Sequence, residues 1–368
     1  MKATQRLHDA GQSLWLDNIT RGMLNDGTLA GYIRDLSVTG LTSNPTIFDH
    51  AISNGDFYDD AIRRKSAEGK EGEPLFFELA IEDLKRAADL LRPVHDRTRG
   101  VDGWVSLEVS PLLANDTAGT VAAAATLHRR ADRPNLFIKI PGTAEGLAAI
   151  EESIANGVPV NVTLLFSATQ YVAAAGAYMR GIERRVAAGL DLKVGSVASL
   201  FVSRWDVAVQ DTVPTSLRNR LGIAVAQRTY REYRRVLASP RWSALEAAGA
   251  RPQRLLFAST STKDPHAGDT LYVEALAAPD TVNTIPDNTL TAFADHGQVN
   301  GLLSPDGGDA DWVLSECRRV GIDDAALAAQ LQLEGAQSFD ESWNDLLDRL
   351  AAKRAALAPS APETAGKS

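Results

Sequence analysis

The sequence has one cysteine, Cys317, among 368 residues, which excludes an intramolecular disulfide and any CxxC metal site. Its histidines (His8, His50, His95, His128, His266 and His296) are scattered, with no HExxH or other metal-ligand spacing. Positive charge is in deficit: 38 Lys and Arg against 47 Asp and Glu leave a net charge of −9. That balance argues against a nucleic-acid or membrane-surface partner, although a few locally placed cations could still hold an anionic substrate. No run approaches the roughly 20 apolar residues of a membrane span. The opening stretch 1–11 is polar, so no signal peptide is expected and the cytoplasm is the default location. GxGxxG and GxxxxGK[ST] are both absent, so the usual dinucleotide and P-loop readings lack their fingerprints.

What is present is an alternation. With 44% hydrophobic residues the chain can bury a large core. Short apolar runs, expected as strands, occupy 13–18, 38–45, 104–111, 135–143, 158–166, 195–204 and 254–260. An eighth comes from either 272–276 or 281–285. Helical spacing fills the intervals: 19–36 with glycine breaks, 74–94, 117–130, 143–155, 167–189, and 217–248 with a break near Ser239-Pro240. Two helices close the chain, over 309–320 and 323–356, the second expected to break near Gly335. Strand–helix alternation with short loops implies a parallel sheet. About eight strands favour a single (β/α)8 TIM barrel, with extra helices notably at the C-terminus, over an open doubly wound sheet. Residues 1–357 are assigned to the barrel, and the Ala-, Pro- and Ser-rich tail 358–368 is expected to be disordered.

The run Leu136-Phe137-Ile138-Lys139-Ile140-Pro141 places a lysine in an otherwise apolar strand. An unpaired buried ammonium costs several kcal/mol, so the side chain either loses its proton, becoming a nucleophile able to form a Schiff base, or is held by a carboxylate from a neighbouring strand. Taken alone, the strand favours the ion pair. The other strands add to the picture. Their C-terminal halves carry Asp17, Thr42 and Asn44, Glu108, Asn161 and Thr163, Ser199 and Arg204, and Ser259. In a barrel these positions meet at the top face, where active sites sit. A lone Ser, Thr or Asn there reads best as a cap or turn residue. An Asp, a Glu and a Lys in three apolar strands read better as an acid–base and nucleophile set. Arg204 and Lys263 are candidate anion anchors, the latter within the hydroxyl-rich run Ser259-Thr260-Ser261-Thr262-Lys263.

Several runs resemble the transaldolase family: Leu16-Asp17-Asn18, Leu41-Thr42-Ser43-Asn44-Pro45, Ser106-Leu107-Glu108-Val109, Ile138-Lys139-Ile140-Pro141, Asn161-Val162-Thr163-Leu164-Leu165-Phe166-Ser167 and Phe201-Val202-Ser203-Arg204-Trp205-Asp206, followed by the 258–263 loop. They occur in order across nearly the whole chain, and the likeness is to the longer bacterial, including actinobacterial, members. The resemblance implies that Lys139 forms the Schiff base, Glu108 and Thr163 hold a proton-relaying water, and Asp17 serves the donor's C4 hydroxyl. It assigns Thr42, Asn44 and Asn161 to donor hydroxyls, and Ser199 and Arg204 to sugar and phosphate. The family's second phosphate cation is often an arginine in a Ser-x-Arg run. Here Ser261-Thr262-Lys263 aligns, or Ser259 with Lys263, which leaves open which serine meets phosphate.

The implied reaction moves a dihydroxyacetone unit from sedoheptulose 7-phosphate or fructose 6-phosphate to glyceraldehyde 3-phosphate or erythrose 4-phosphate, in the non-oxidative pentose phosphate pathway. It needs no metal or organic cofactor. One rival is a fructose 6-phosphate aldolase-like enzyme that releases dihydroxyacetone; that branch typically has Tyr where this chain has Phe201, and an apolar ring favours transfer. A second rival is a non-catalytic sugar-phosphate-binding barrel, which would need the cations but not Asp17, Glu108 and Lys139. The six tryptophans and the C-terminal helices suit a homodimer interface as well as intrachain packing.

Overall fold

Eight short apolar runs, each followed by a segment of helical periodicity, can bury both faces of every strand by closing on themselves inside a ring of helices. In a computed structural model, which describes residues 1–358, they do so. The strands are β1 (Ser13–Asp17), β2 (Val38–Thr42), β3 (Val105–Glu108), β4 (Leu136–Pro141), β5 (Val160–Leu165), β6 (Ser196–Phe201), β7 (Arg254–Ala258) and β8 (Val282–Ile285). They form a closed parallel barrel in sequence order, β8 pairing with β1. The expected (β/α)8 architecture with additional C-terminal helices is therefore observed. Of the two candidates for the eighth strand, 282–285 is the strand; Leu271–Ala275 is a short helix.

Helices start directly at several strand ends because polar side chains cap them. Asn44 Oδ1 accepts from Ile47 N at 2.9 Å, Thr143 Oγ1 from Gly146 N at 3.0 Å and Ser167 Oγ from Gln170 N at 3.1 Å. These caps keep the loops at the C-terminal ends of β2, β4 and β5 short, and so fix the residues that line the top of the barrel. Other expectations shift in detail. The 19–36 segment forms two helices, Arg21–Asn25 and Thr28–Asp35, divided at Gly27, whose φ of 81° no helix accommodates. The break at Ser239-Pro240 is present. The expected break at Gly335 is absent: Asp324–Ala356 is one helix of 33 residues. The tail expected to be disordered lies, from residue 359 on, outside the described residues.

The floor of the barrel is sealed. Trp104 and Phe137 stack with ring centroids 4.0 Å apart, and Trp15 lies against Phe137 at 6.0 Å. The buried Asp102 carboxylate accepts from Trp15 Nε1 at 2.7 Å and from Ser13 Oγ. Arg254 reaches Ser13 Oγ and the Thr281 carbonyl, each at 2.7 Å. With the N-terminal end closed by aromatic rings and a satisfied charge network, access to the interior is left to the opposite face. Among the described residues no helix is long and apolar enough to cross a membrane.

Gly40, opposite Trp15 in the β1–β2 register, has no room for a side chain: a Cβ there would lie 2.5 Å from three indole atoms. The indole is held by its hydrogen bond and cannot withdraw. Gly40→Ala is expected to destabilise the fold by about 1–3 kcal/mol through overpacking, read as a lower urea midpoint at unchanged slope; an unchanged midpoint would mean the indole is free to move.

Candidate active site

Register decides which side chains share the top of the barrel. Glu108 pairs with Lys139, Lys139 with Asn161, Pro141 with Thr163 and Asp17 with Thr42. Lys139 is only 6% exposed and Glu108 5%. Lys139 Nζ lies 3.0 Å from Glu108 Oε2 and donates to the Ser43 carbonyl, also at 3.0 Å. The lysine is thus accompanied by a carboxylate from the neighbouring strand, as the structural reading of its strand anticipates. It also lines the floor of an open cavity of about 240 Å³, which a purely structural pair has no reason to do.

Around this pair the cavity wall is formed by Asp17, Thr42, Asn44, Asn161, Thr163, Ser199, Phe201, Arg204, Ser259, Ser261 and Lys263. Glu108 stands behind Lys139 rather than on the wall. Asp17 Oδ1 accepts from Thr42 Oγ1 at 2.7 Å, and Thr42 Oγ1 lies 2.5 Å from Thr284 Oγ1. Because the Thr42 hydroxyl proton points to Asp17, Thr284 must be the donor in the second contact, giving a directed chain of hydroxyls. Asn161 donates to Ser106 Oγ at 3.1 Å and accepts from Ser199 Oγ at 2.7 Å, which fixes its amide orientation. Thr163 Oγ1 is buried with no partner among the described residues, and is therefore free to bind a ligand or water. Ser259 Oγ and Ser203 Oγ share a hydrogen bond of 2.8 Å, whereas Ser261 makes no such contact. Both serines line the cavity, so the choice between them stays open.

Burial holds the Asp17 carboxyl above the ordinary range, against the Thr42 hydrogen bond and the charges of Lys139 and Lys263. Burial likewise raises Glu108; the Lys139 charge and hydrogen bond oppose it, and the Asp17 charge adds to it. Arg204 packs over the Phe201 ring at 5.2 Å, and burial lowers its pKa against the raising influence of Glu334. Among the described residues neither Arg204 nor Lys263 has a carboxylate within 4.0 Å, so the rim carries two unpaired cations. An anion placed between them would recover the cost of holding Arg204 there.

At the C-terminal ends of the strands two non-glycine residues have left-handed backbone, Leu164 at φ 59° in an irregularity of β5 and Ser259 at φ 56° after β7. Each costs roughly 1–3 kcal/mol and persists only where the surroundings over-determine it. The Leu164 carbonyl is held by Gln332 Nε2 at 2.9 Å, from the C-terminal helix.

Several wall residues were not expected: Thr46, Thr284, Pro286, Ser338 and Phe339. Thr284 and Pro286 follow from the choice of eighth strand. Ser338 and Phe339 come from the C-terminal helix, far along the chain and within no motif; no local signal marks them.

Comparison with known proteins identifies the family. A family model described as transaldolase/fructose-6-phosphate aldolase matches residues 14–350. The chain belongs to that family. It is 47% identical to a transaldolase of Parafrankia sp. over 95% of this chain and 97% of that one. It is 46% identical to a transaldolase of Thermobifida fusca over 96% and 98% of the two chains. To a protein named transaldolase 2 of Streptomyces coelicolor it is 42% identical over 97% and 99%. Within the family the chain thus aligns end to end with members of the transaldolase branch, and the seven runs quoted above fall inside the matched region.

The raised Asp17 pKa has a consequence for stability. Unfolded, the carboxyl ionises near the ordinary aspartate value of 3.8; folded, it does so at higher pH. Above both values the native state therefore bears a penalty, which disappears as pH falls and both forms take up the proton. Asp17→Asn removes the charge and keeps the acceptor for Thr42. It is expected to raise stability at pH 8 by about 1 kcal/mol, with the gap narrowing towards pH 4 and turnover lost. Urea denaturation at the two pH values checks this; a variant less stable than the parent at pH 8 would contradict it.

Proposed function

We propose that the protein transfers a dihydroxyacetone unit between sugar phosphates through a Schiff base on Lys139. The observation that carries the proposal is the Lys139–Glu108 pair at 3.0 Å, beside a cavity whose rim holds two cations with no carboxylate partner among the described residues. A buried amine touching a carboxyl that burial biases towards protonation can hand over its proton without solvent. That leaves a neutral nucleophile at the point where a substrate ketone would sit.

In this reading Arg204 and Lys263 take the phosphate, with Ser259 or Ser261 adding a hydroxyl, while Thr42, Asn44, Asn161 and Ser199 hold sugar hydroxyls. Asn44 spends its carbonyl oxygen on the helix cap, so its amide hydrogens are what it can offer a substrate. Lys139 attacks the ketone of fructose 6-phosphate or sedoheptulose 7-phosphate. Glu108 and Thr163 hold the water that exchanges protons during carbinolamine formation and dehydration; the unpartnered Thr163 hydroxyl supports that role. The protonated imine then draws electrons from the C3–C4 bond as Asp17 removes the C4 hydroxyl proton. Asp17 must be ionised to do so, so its raised pKa places the acid limb of the rate profile above the ordinary aspartate range. The aldose phosphate leaves, an acceptor aldose phosphate enters, and the steps reverse. Release of free dihydroxyacetone, the aldolase alternative, is disfavoured by the apolar Phe201 on the cavity wall. Sugar phosphates as substrates imply a cytoplasmic setting.

Borohydride reduction in the presence of fructose 6-phosphate, followed by peptide mass mapping, tests the assignment. A reduced three-carbon adduct is expected on Lys139 and on no other lysine, and Lys139→Ala should abolish it. An adduct elsewhere, or none, would remove the mechanism.

A further inference from the structure

We propose that Phe339, on the C-terminal helix, is a specificity-determining residue: with Phe201 it keeps water from the Lys139-bound intermediate, so that the three-carbon unit is transferred and not released. This rests on the Schiff-base reading above.

The Phe339 ring lies with its centroid 5.7 Å from Lys139 Nζ, is 6% exposed and forms part of the cavity wall. No strand of the barrel contributes it. Its position is imposed by contacts on both sides along the helix. On one side Gln332 Nε2 donates to the carbonyls of Gly142 and Leu164, at the ends of β4 and β5, at 3.0 and 2.9 Å. One turn on, Gly335 lets the helix backbone settle where a Cβ would lie 3.0 Å from Leu164 Cδ2 and 3.3 Å from Arg204 Nη1. On the other side Ser342 Oγ accepts from Thr46 Oγ1 at 2.9 Å, and the Trp343 ring meets Phe76 at 5.1 Å and Phe77 at 5.7 Å. The helix is therefore a fixed roof, and Phe339 is the side chain it lowers onto the nucleophile.

The chemistry explains what a dry roof would do. Once the C3–C4 bond has broken, the unit on Lys139 is an enamine with a basic carbon. If that carbon takes a proton from water, the product is an iminium ion. Water then adds to its central carbon, the carbon–nitrogen bond breaks, and free dihydroxyacetone leaves with the lysine amine restored. If the carbon instead attacks an acceptor aldehyde, a carbon–carbon bond forms and the proton goes to the aldehyde oxygen. The two fates differ in whether a proton donor stands beside the enamine carbon before the acceptor arrives. Phe201 from β6 and Phe339 from the roof both line the cavity that holds Lys139, and neither ring offers a proton donor. A ring face near Nζ also tolerates the positive iminium, which an aliphatic side chain does less well.

The test compares the full-length parent with Phe339→Ala and Phe339→Tyr. Each is given fructose 6-phosphate with and without erythrose 4-phosphate, and free dihydroxyacetone is measured against transfer product. Truncation opens the space to water, and the ratio of release to transfer is expected to rise about tenfold, the scale on which a changed pocket contact discriminates. Phe339→Tyr keeps the ring, so it remains informative if the truncated chain does not fold; its hydroxyl can hold a water, and the ratio is expected to rise here too. Borohydride trapping is run in parallel. An intact Lys139 adduct with an unchanged ratio in both variants, or equal losses of release and transfer, would overturn the inference and leave the Schiff-base reading standing. Absence of the adduct in the parent would overturn both.

Discussion

A charged amine inside a barrel wall of valine, isoleucine and leucine needs company, and the whole site follows from how that need is met. Lys139 could have been matched by a carboxylate well clear of any cavity, as a plain structural pair. Glu108 matches it on the adjacent strand, at the level where the barrel opens. Burial raises the acid, while the charge and hydrogen bond of the amine oppose that rise. Asp17, on the far side, is also raised by burial and also feels Lys139. Two buried carboxyls and one buried amine thus stand at the level where the barrel opens, each carboxyl raised by burial and opposed by the amine's charge.

The remaining architecture serves this cluster from a distance. The stacked rings of Trp104 and Phe137 and the Asp102–Arg254 network close the bottom of the barrel. That leaves the opposite face, where Arg204 and Lys263 line the cavity, as the approach for substrate. The C-terminal helix crosses that face and is tied down by Gln332, Ser342 and the Trp343 contacts. A protein with a net charge of −9 can therefore attract a phosphate to one small region. Arg204 and Lys263 stand there with no carboxylate within 4.0 Å among the described residues.

The sequence reveals the barrel and most of the cavity wall for one reason. A polar residue near the C-terminal end of an apolar strand is conspicuous, and the closed topology sends all such residues to one place. Lys139, Glu108 and Asp17 are legible on that ground. The eighth strand is less so, since 272–276 and 281–285 are both short and only partly apolar; only the β8–β1 pairing separates them, and with it the membership of Thr284. Gly335 misleads because its helix penalty is small, about 1 kcal/mol against alanine, whereas its lack of a side chain allows a close approach to Leu164 that no local pattern announces. Phe339 is invisible for a similar reason. Its role depends on where a helix lies across the barrel, and nothing in the run Ser338-Phe339-Asp340 distinguishes it from an ordinary buried position.

The most direct measurement is the titration of the Glu108 carboxyl by 13C NMR on protein labelled at glutamate, the signal being assigned by its loss in Glu108→Gln. Burial against Lys139 predicts a midpoint above the ordinary glutamate value of about 4.3, and a further upward move when Lys139 is replaced by methionine, because the opposing cation is gone. A midpoint at or below the ordinary value, or one that does not move when the lysine is lost, would contradict the account.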